Sequence, residues 1–298
     1  MNGELPGSQA PAETPRRSPR QGLAAAFDST GNFRARRLPT IGDFAAQLMA
    51  EMRDPDISDL RVLQLLKQDV ALSSNVLAVA NSPFYGLSRQ VESLHQALRV
   101  LGFEALRNLI YAATLRRLFK QGRLCERFDA RCLWMHARTA AAVARRLALH
   151  VPGVDPQRAF LGGLLHDVGH IVMIQLDRQG FCDVVTADSH GPNGYLASER
   201  EHLGMDHAQV GAAALRTWKF PDWTVVLVAG HHEAQFNDDA SGSLARIIAV
   251  ADQLSGRLPG SFAADLAPAN PLDMHALGLD PSVGDDILAL ATQECAAE

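Results

Sequence analysis

Between Phe160 and Met173 the chain reads FLGGLLHDVGHIVM, which sets His166 beside Asp167 at the centre of an otherwise apolar run. Such a run belongs in an interior, where an imidazole or carboxylate without a partner costs about 2 to 7 kcal/mol. The pattern is that of a greasy helix, so the fold has to bring further polar groups or a cation to its middle. Adjacent helical residues point about 100° apart. His166 and Asp167 therefore act together only if something central draws both.

Composition narrows the surroundings. The chain has 298 residues, 47% of them hydrophobic, enough for one large domain or two small ones with a sizeable core. Aromatics are only 6%, Ala and Leu dominate the apolar set, and Val/Ile/Thr alternation is scarce, which predicts an all-α fold. A net charge of -5 without any block of Lys and Arg gives no reason to expect a nucleic-acid partner. Cys125, Cys132, Cys182 and Cys295 lack CxxC spacing, as expected of reduced thiols in a cytoplasm. Cys125 and Cys132, seven apart, read as ordinary packing. No charged-then-apolar leader and no run of 18 apolar residues is present, so a cytoplasmic location without membrane contact is expected.

Residues 1–37 are rich in Pro, Gly, Ser and Ala, and carry Arg16, Arg17, Arg20, Arg34, Arg36 and Arg37 against Glu4, Glu13 and Asp28. They read as a disordered basic tail, because such a segment buries too little apolar surface to offset its ordering entropy. From residue 38 helical periodicity begins. Ile41, Phe44, Ala45, Leu48 and Met49 predict a helix capped by Thr40; Leu60, Leu63 and Leu66, then Leu72, Val76, Val79 and Ala80, predict two more, ended by Asn81-Ser82-Pro83. Another pair is hinged at Gly102, and His95 there reads as a packed or surface histidine. These form an N-terminal helical layer over residues 38–130.

Residues 131–298 predict a helical bundle in which histidines and acids recur. Leu133, Ala137, Ala140, Ala141, Ala144, Leu147 and Ala148 form one stripe, with His136 at its edge. A polar connection is expected over 186–198, a loop at 237–243, a Pro-rich connection at 259–271 and a last helix near 282–295. His136, His166, Asp167, His207, His231, His232 and Asp252 come from five helical segments. Mixed imidazole and carboxylate donors suit zinc, iron, manganese or nickel rather than calcium, and bundles build such sites from inward-facing side chains on different helices.

LLHDVGH resembles the signature of the HD superfamily of metal-dependent phosphohydrolases, and the order His136, His166-Asp167, His231-His232, Asp252 is similar to its ligand series. MDHAQVGAAALRTWKFPDWTVVLVAGHHE, with LKQDVALSSNVLAVANSPFYGLSRQVESLHQALRVLGFEAL upstream, resembles the HDOD branch over about residues 38–295. The resemblance implies an HD-like bundle with an added N-terminal layer, forming one continuous module. Read chemically, His136, His166, Asp167 and Asp252 suit one metal, and His207, His231 and His232 suit a second, with Asp167 bridging.

Departures limit what the resemblance carries. The catalytic HD-GYP branch, which hydrolyses cyclic di-GMP, has a lysine where this chain has His170, a GYP motif that HHEAQFNDDASGS lacks, and in some members a glutamate where Cys132 stands. The Asp-Pro usual in the HDOD pattern is Asp69-Val70, a change expected to affect only a helix start. Three readings follow. One is a cytosolic signalling module that recognises a protein partner and holds one or two metal ions, sensory or structural, in its HD-like pocket. Another is a metal-dependent phosphohydrolase of a cyclic dinucleotide or other phosphate ester, with Asp167, His170 and Arg138 as catalytic candidates and Arg246 as a further cation. The third is a metal-free cluster of hydrogen-bonded histidines.

Overall fold

Helix-starting residues recur at short intervals along the chain, and in the computed structural model most of them open a helix. The structure describes residues 41–54, 56–81, 85, 87–116, 118–121, 123–125, 128–186, 194–233, 237, 239–258 and 274–296, with Leu23, 26–28, Phe33 and Arg34. The N-terminal layer holds α1 (Asp43–Glu51), α2 (Asp59–Leu66), α3 (Val70–Ala80), α4 (Leu94–Leu101) and α5 (Phe103–Arg116). The bundle holds α6 (Ala130–Ala148), α7 (Pro156–Leu165), α8 (Val168–Leu176), α9 (Arg178–Thr186), α10 (Gly194–Leu203), α11 (His207–Thr217), α12 (Asp222–Gly230), α13 (Ala240–Gly256) and α14 (Pro281–Ala296). Among the described residues the fold is all-α apart from a two-stranded antiparallel piece, β1 (Arg123–Cys125) and β2 (Phe128–Asp129), leading into α6.

Side-chain caps set several helix starts. Ser58, Asp69, Ser93, Asp129, Asp155 and Asp239 each accept a backbone N–H from the first turn that follows, and Asp206 forms a capping box with Gln209. Gly102 separates α4 from α5 at φ 83°, a conformation glycine adopts without steric cost. Helix α1 starts after Gly42 rather than at Thr40, which lies outside the described residues. Helix α13 begins at Ala240, inside the expected loop, because Asp239 caps it.

Asp69 caps α3, so Val70 occupies the first helical position, where proline is favoured because its missing N–H has no helical acceptor. Val70→Pro is expected to leave stability unchanged or raise it by about 0.4 to 1 kcal/mol. Urea denaturation checks this; a loss of about 1 kcal/mol or more would refute the assignment of that helix start.

Among the described residues, two apolar clusters form the core. One joins α1–α5 to α7–α9, α11 and α12 through residues such as Leu48, Leu66, Leu106, Ile171 and Val210, so it crosses the junction at residue 130. The other lies among α6, α7, α13 and α14 and includes Ala141, Leu147, Ile247, Leu254 and Ile287. Small residues let the helices bearing the histidines approach closely. A Cβ on Gly163 would lie 2.7 Å from the Ala141 Cα on α6, and one on Gly169 would lie 1.9 Å from the His207 carbonyl oxygen on α11.

The expected disordered tail needs correction where its residues are described. Leu23, Ala26, Phe27 and Phe33 are buried in the first cluster, the two phenylalanine rings lie 4.3 Å apart, and Arg34 donates to the Phe27 carbonyl. An apolar cluster this short is hidden by the polar average of the segment. The rest of 1–37, Ser82 and Pro83, and the Pro-rich connection at 259–271 lie outside the described residues.

Pro156–Leu176 is, among the described residues, the one segment long and apolar enough to cross a membrane, where the sequence suggested none; it lies mostly buried within the fold. The Phe160–Met173 run is not one helix. It breaks at His166 and Asp167, which form the junction of α7 and α8.

Candidate metal centre

The break explains how two adjacent residues serve one site. His166 ends α7, and its Nδ1 lies 2.7 Å from the Gly163 carbonyl oxygen. His231 ends α12 in the same way, with Nδ1 2.7 Å from the Val228 carbonyl oxygen. A helix leaves its last carbonyls without helical partners, and these rings fill that need by donating Nδ1–H. Each Nε2 is then directed into the cluster, ready to offer a lone pair once any proton there is displaced. Second-sphere bonds of this kind fix tautomer and orientation in metal-binding histidines.

Asp167 opens α8 without capping it: its side chain makes no cap hydrogen bond, unlike Asp69, Asp129, Asp155, Asp206 and Asp239 at their helix starts. The carboxylate faces histidines instead. Its Oδ2 lies 3.5 Å from His136 Nε2 and 3.3 Å from His166 Nε2, while Oδ1 lies 3.3 Å from His207 Nε2 and 3.9 Å from His231 Nε2. Asp252 Oδ1, from the middle of α13, approaches His136 Nε2 at 3.0 Å and His166 Nε2 at 3.5 Å. His232 Nε2 meets His207 Nε2 at 2.8 Å.

All seven expected donors are therefore brought together, in two groups that share Asp167: His136, His166, Asp167 and Asp252, and Asp167, His207, His231 and His232. Donors about 2.1 Å from one ion at tetrahedral or octahedral angles stand about 3.0 to 3.4 Å from each other. The 3.0 to 3.5 Å separations of the first group match that spacing. His231 Nε2 is buried and makes no hydrogen bond, as a donor awaiting a cation would.

Glu199, which carried no expectation, is also there. It is fully buried on α10 between Tyr195 and Leu203, one helical turn to either side. The expected polar connection at 186–198 gives way from Gly194 onward to this helix. SEREH reads as a solvated charged stretch; the apolar residues four positions either side of Glu199 are the signal that places it inside.

Charge balance gives the cluster its electrostatics. Burial alone would drive His166 and His207 neutral, but Asp167 and Asp252 hold His166 well above the usual imidazole range, and Glu199 with Asp167 lifts His207 to about 10. Burial and the neighbouring histidine charges push His231 well down and His232 to about 4. Burial opposes ionisation of the acids, yet the surrounding histidines hold Asp167 and Asp252 well below the carboxylate range and Glu199 at about 2. An incoming cation must displace the protons on His166 and His207, so affinity rises with pH. Zinc or manganese titrations at pH 6.5 and 7.5 are expected to show up to about tenfold tighter binding per unit for each proton displaced.

The two arginine candidates are not at the centre. Arg138 lies two residues, about 200°, around α6 from His136, and its guanidinium points at the Met135 sulfur. Arg246 donates to the Ala276 carbonyl oxygen. His170, the third cation candidate, is buried in the cluster, stacked on His207 with ring centroids 4.0 Å apart, 3.6 Å from Asp167 Oδ1 and 3.3 Å from Glu199 Oε1. Among the described residues the basic side chains that face Asp167, Asp252 and Glu199 are all histidines. Asp252, whose side chain is 19% exposed, and His232 keep the solvent contact.

Comparison with known proteins places the fold. A Shewanella amazonensis protein provisionally named a phosphohydrolase has a solved structure that matches at TM-score 0.67 and 26% identity, over 87% of this chain and 92% of that one. A Marinobacter aquaeolei protein provisionally named for signal transduction matches at TM-score 0.68 and 25% identity, over 87% and 58%. An uncharacterized Treponema pallidum protein is 24% identical over 246 residues, 80% of this chain and 46% of that protein, so the chain spans less than half the length of that curated relative. The model of the HDOD domain matches residues 38–234. Asp252 lies beyond that match and enters the site through the fold. With two thirds of its length matched and its donors placed by the helices of that match and by α13, the chain belongs to the HDOD domain family.

Proposed function

We propose that the chain is an HDOD signalling module of the cytoplasm. Its interior centre binds two divalent metal ions, and its helical surface recognises a protein partner. The observation that carries the metal reading is Asp167, whose two carboxylate oxygens face two separate donor groups. His136, His166 and Asp252 would hold one ion, and His207, His231 and His232 the other. Bound ions would neutralise the buried carboxylates and polarise the oxygen of any ligand reaching them.

The surroundings favour a sensory or structural centre over turnover. Phosphoryl chemistry needs cations for the charge developing on phosphorus; Arg138 and Arg246 are directed elsewhere, and His170 is buried between Asp167 and Glu199. A role in signalling is supported by family membership and by the name given to the Marinobacter relative. Phosphohydrolysis of a cyclic dinucleotide is the second reading, favoured by the same pair of donor groups sharing a carboxylate.

The test incubates metal-loaded protein with a cyclic dinucleotide panel, including cyclic di-GMP, under added iron(II) or manganese, beside a pull-down with the same protein. Retained metal, no turnover above the metal-only control and recovery of a protein partner are expected. Turnover that disappears in Asp167→Ala, with no partner recovered, would replace the module by the hydrolase.

A further inference from the structure

We propose that Glu199 is a positioning residue that fixes His207 as a donor of the second group, with His170 bracing it; this rests on the metal reading above. Glu199 Oε2 accepts two hydrogen bonds from one residue, from the His207 backbone N–H at 2.9 Å and from Nδ1 of its ring at 2.8 Å. Those bonds set three properties at once. Nδ1 keeps its proton for Glu199, so Nε2, which faces Asp167 Oδ1 and His232 Nε2, is the nitrogen that offers a lone pair to a metal once its own proton is displaced. The backbone N–H belongs to the first residue of α11, one of the donors that a helix start leaves without a helical partner. The start of α11 is thereby tied to α10. The carboxylate also makes the imidazole a stronger electron donor.

His170 completes the arrangement. Its Nε2 lies 3.3 Å from Glu199 Oε1, and its ring lies almost parallel to that of His207, at 20°. Rotation of either the carboxylate or the His207 ring meets His170. His170, Glu199 and His207 also lie close enough to suggest a third metal group. They do not form one alongside the second: His207 has two ring nitrogens, with Nδ1 engaged by Glu199 and Nε2 turned toward Asp167. The trio is a support for the second group.

Zinc titration that resolves two binding events tests this, alongside melting temperature and the histidine side-chain nitrogen NMR spectrum of the metal-free protein. Glu199→Gln keeps the size of the side chain but removes its charge. It is expected to weaken the second event by about 10- to 100-fold, leave the first within about twofold by the same reasoning, and shift the His207 ring signals. Equal weakening of both events, or of neither, would overturn the proposal while leaving the metal reading in place. Wild-type protein binding fewer than two ions would overturn both. Should Glu199→Gln not fold, His170→Asn serves instead: it leaves the Oε2 bonds intact, and a selective loss of a few-fold at the second event is expected. No selective change there overturns the proposal.

Discussion

Asp167→Asn is expected to abolish metal binding by both donor groups at once, although one atom type changes at one position. The amide keeps the shape of the carboxylate and can fill the same space. It supplies neither the second anionic oxygen nor the charge on which both groups depend, since Oδ2 faces His136 and His166 while Oδ1 faces His207 and His231. The metal-free protein is affected too. Asp167 helps keep His166 and His207 protonated, and removing one partner from a buried ionic cluster typically costs about 3 to 5 kcal/mol. The sign with pH follows from the depressed acid. Asp167 ionises well below its ordinary 3.8 in the fold, so its stabilisation is fully present above about pH 4 and is lost as pH falls through the folded value. Urea denaturation of metal-free wild type and variant should show a gap at pH 7 that narrows only in acid. A variant that keeps one ion would mean that Asp167 serves a single group.

Gly169→Ala should be the other severe change, with a different signature. The new Cβ would stand 1.9 Å from the His207 carbonyl oxygen and 3.0 Å from the Gly211 nitrogen. Both obstacles are backbone, so neither can rotate away, and α8 must separate from α11. Overpacking typically costs about 1 to 3 kcal/mol, and more where backbone must move; about 3 kcal/mol or more is expected here. The separation draws His207 away from Asp167 while His136, His166 and Asp252 stand on other helices, so the second ion should weaken more than the first. Gly162→Ala is the control. Its Cβ would meet the ends of the Leu227 and Ile248 side chains, which can give way, and a smaller loss is expected. Thermal melts and metal titrations of the two variants separate these outcomes; a Gly169→Ala protein within about 1 kcal/mol of wild type would refute the close approach of α8 and α11.

What the sequence made legible was the chemistry at the helix junctions more than their geometry. His166 and Asp167 declare themselves because an apolar run has no other use for them, and the order of the remaining donors has a familiar pattern. Their convergence depends on a helix break after Leu165 that no glycine or proline marks; Gly163 and Gly169 serve close packing instead. Glu199 was hidden by its neighbours, because Ser198, Arg200 and Glu201 give its surroundings a solvated look while Tyr195 and Leu203 determine its face. Arg138 shows the opposite error. Nearness to His136 in sequence suggested a role in the site, and the pitch of α6 turns it away. The buried phenylalanines near the N-terminus were lost in an average taken over a polar segment.

The most direct test of the central claim is the number of ions held per chain, counted by native mass spectrometry and elemental analysis after purification without an affinity tag and reconstitution with manganese or zinc. Two ions per wild-type chain, and none after Asp167→Asn, is the predicted result. A wild-type chain that holds no ion, or an Asp167→Asn chain that still holds two, would contradict a centre built around one shared carboxylate.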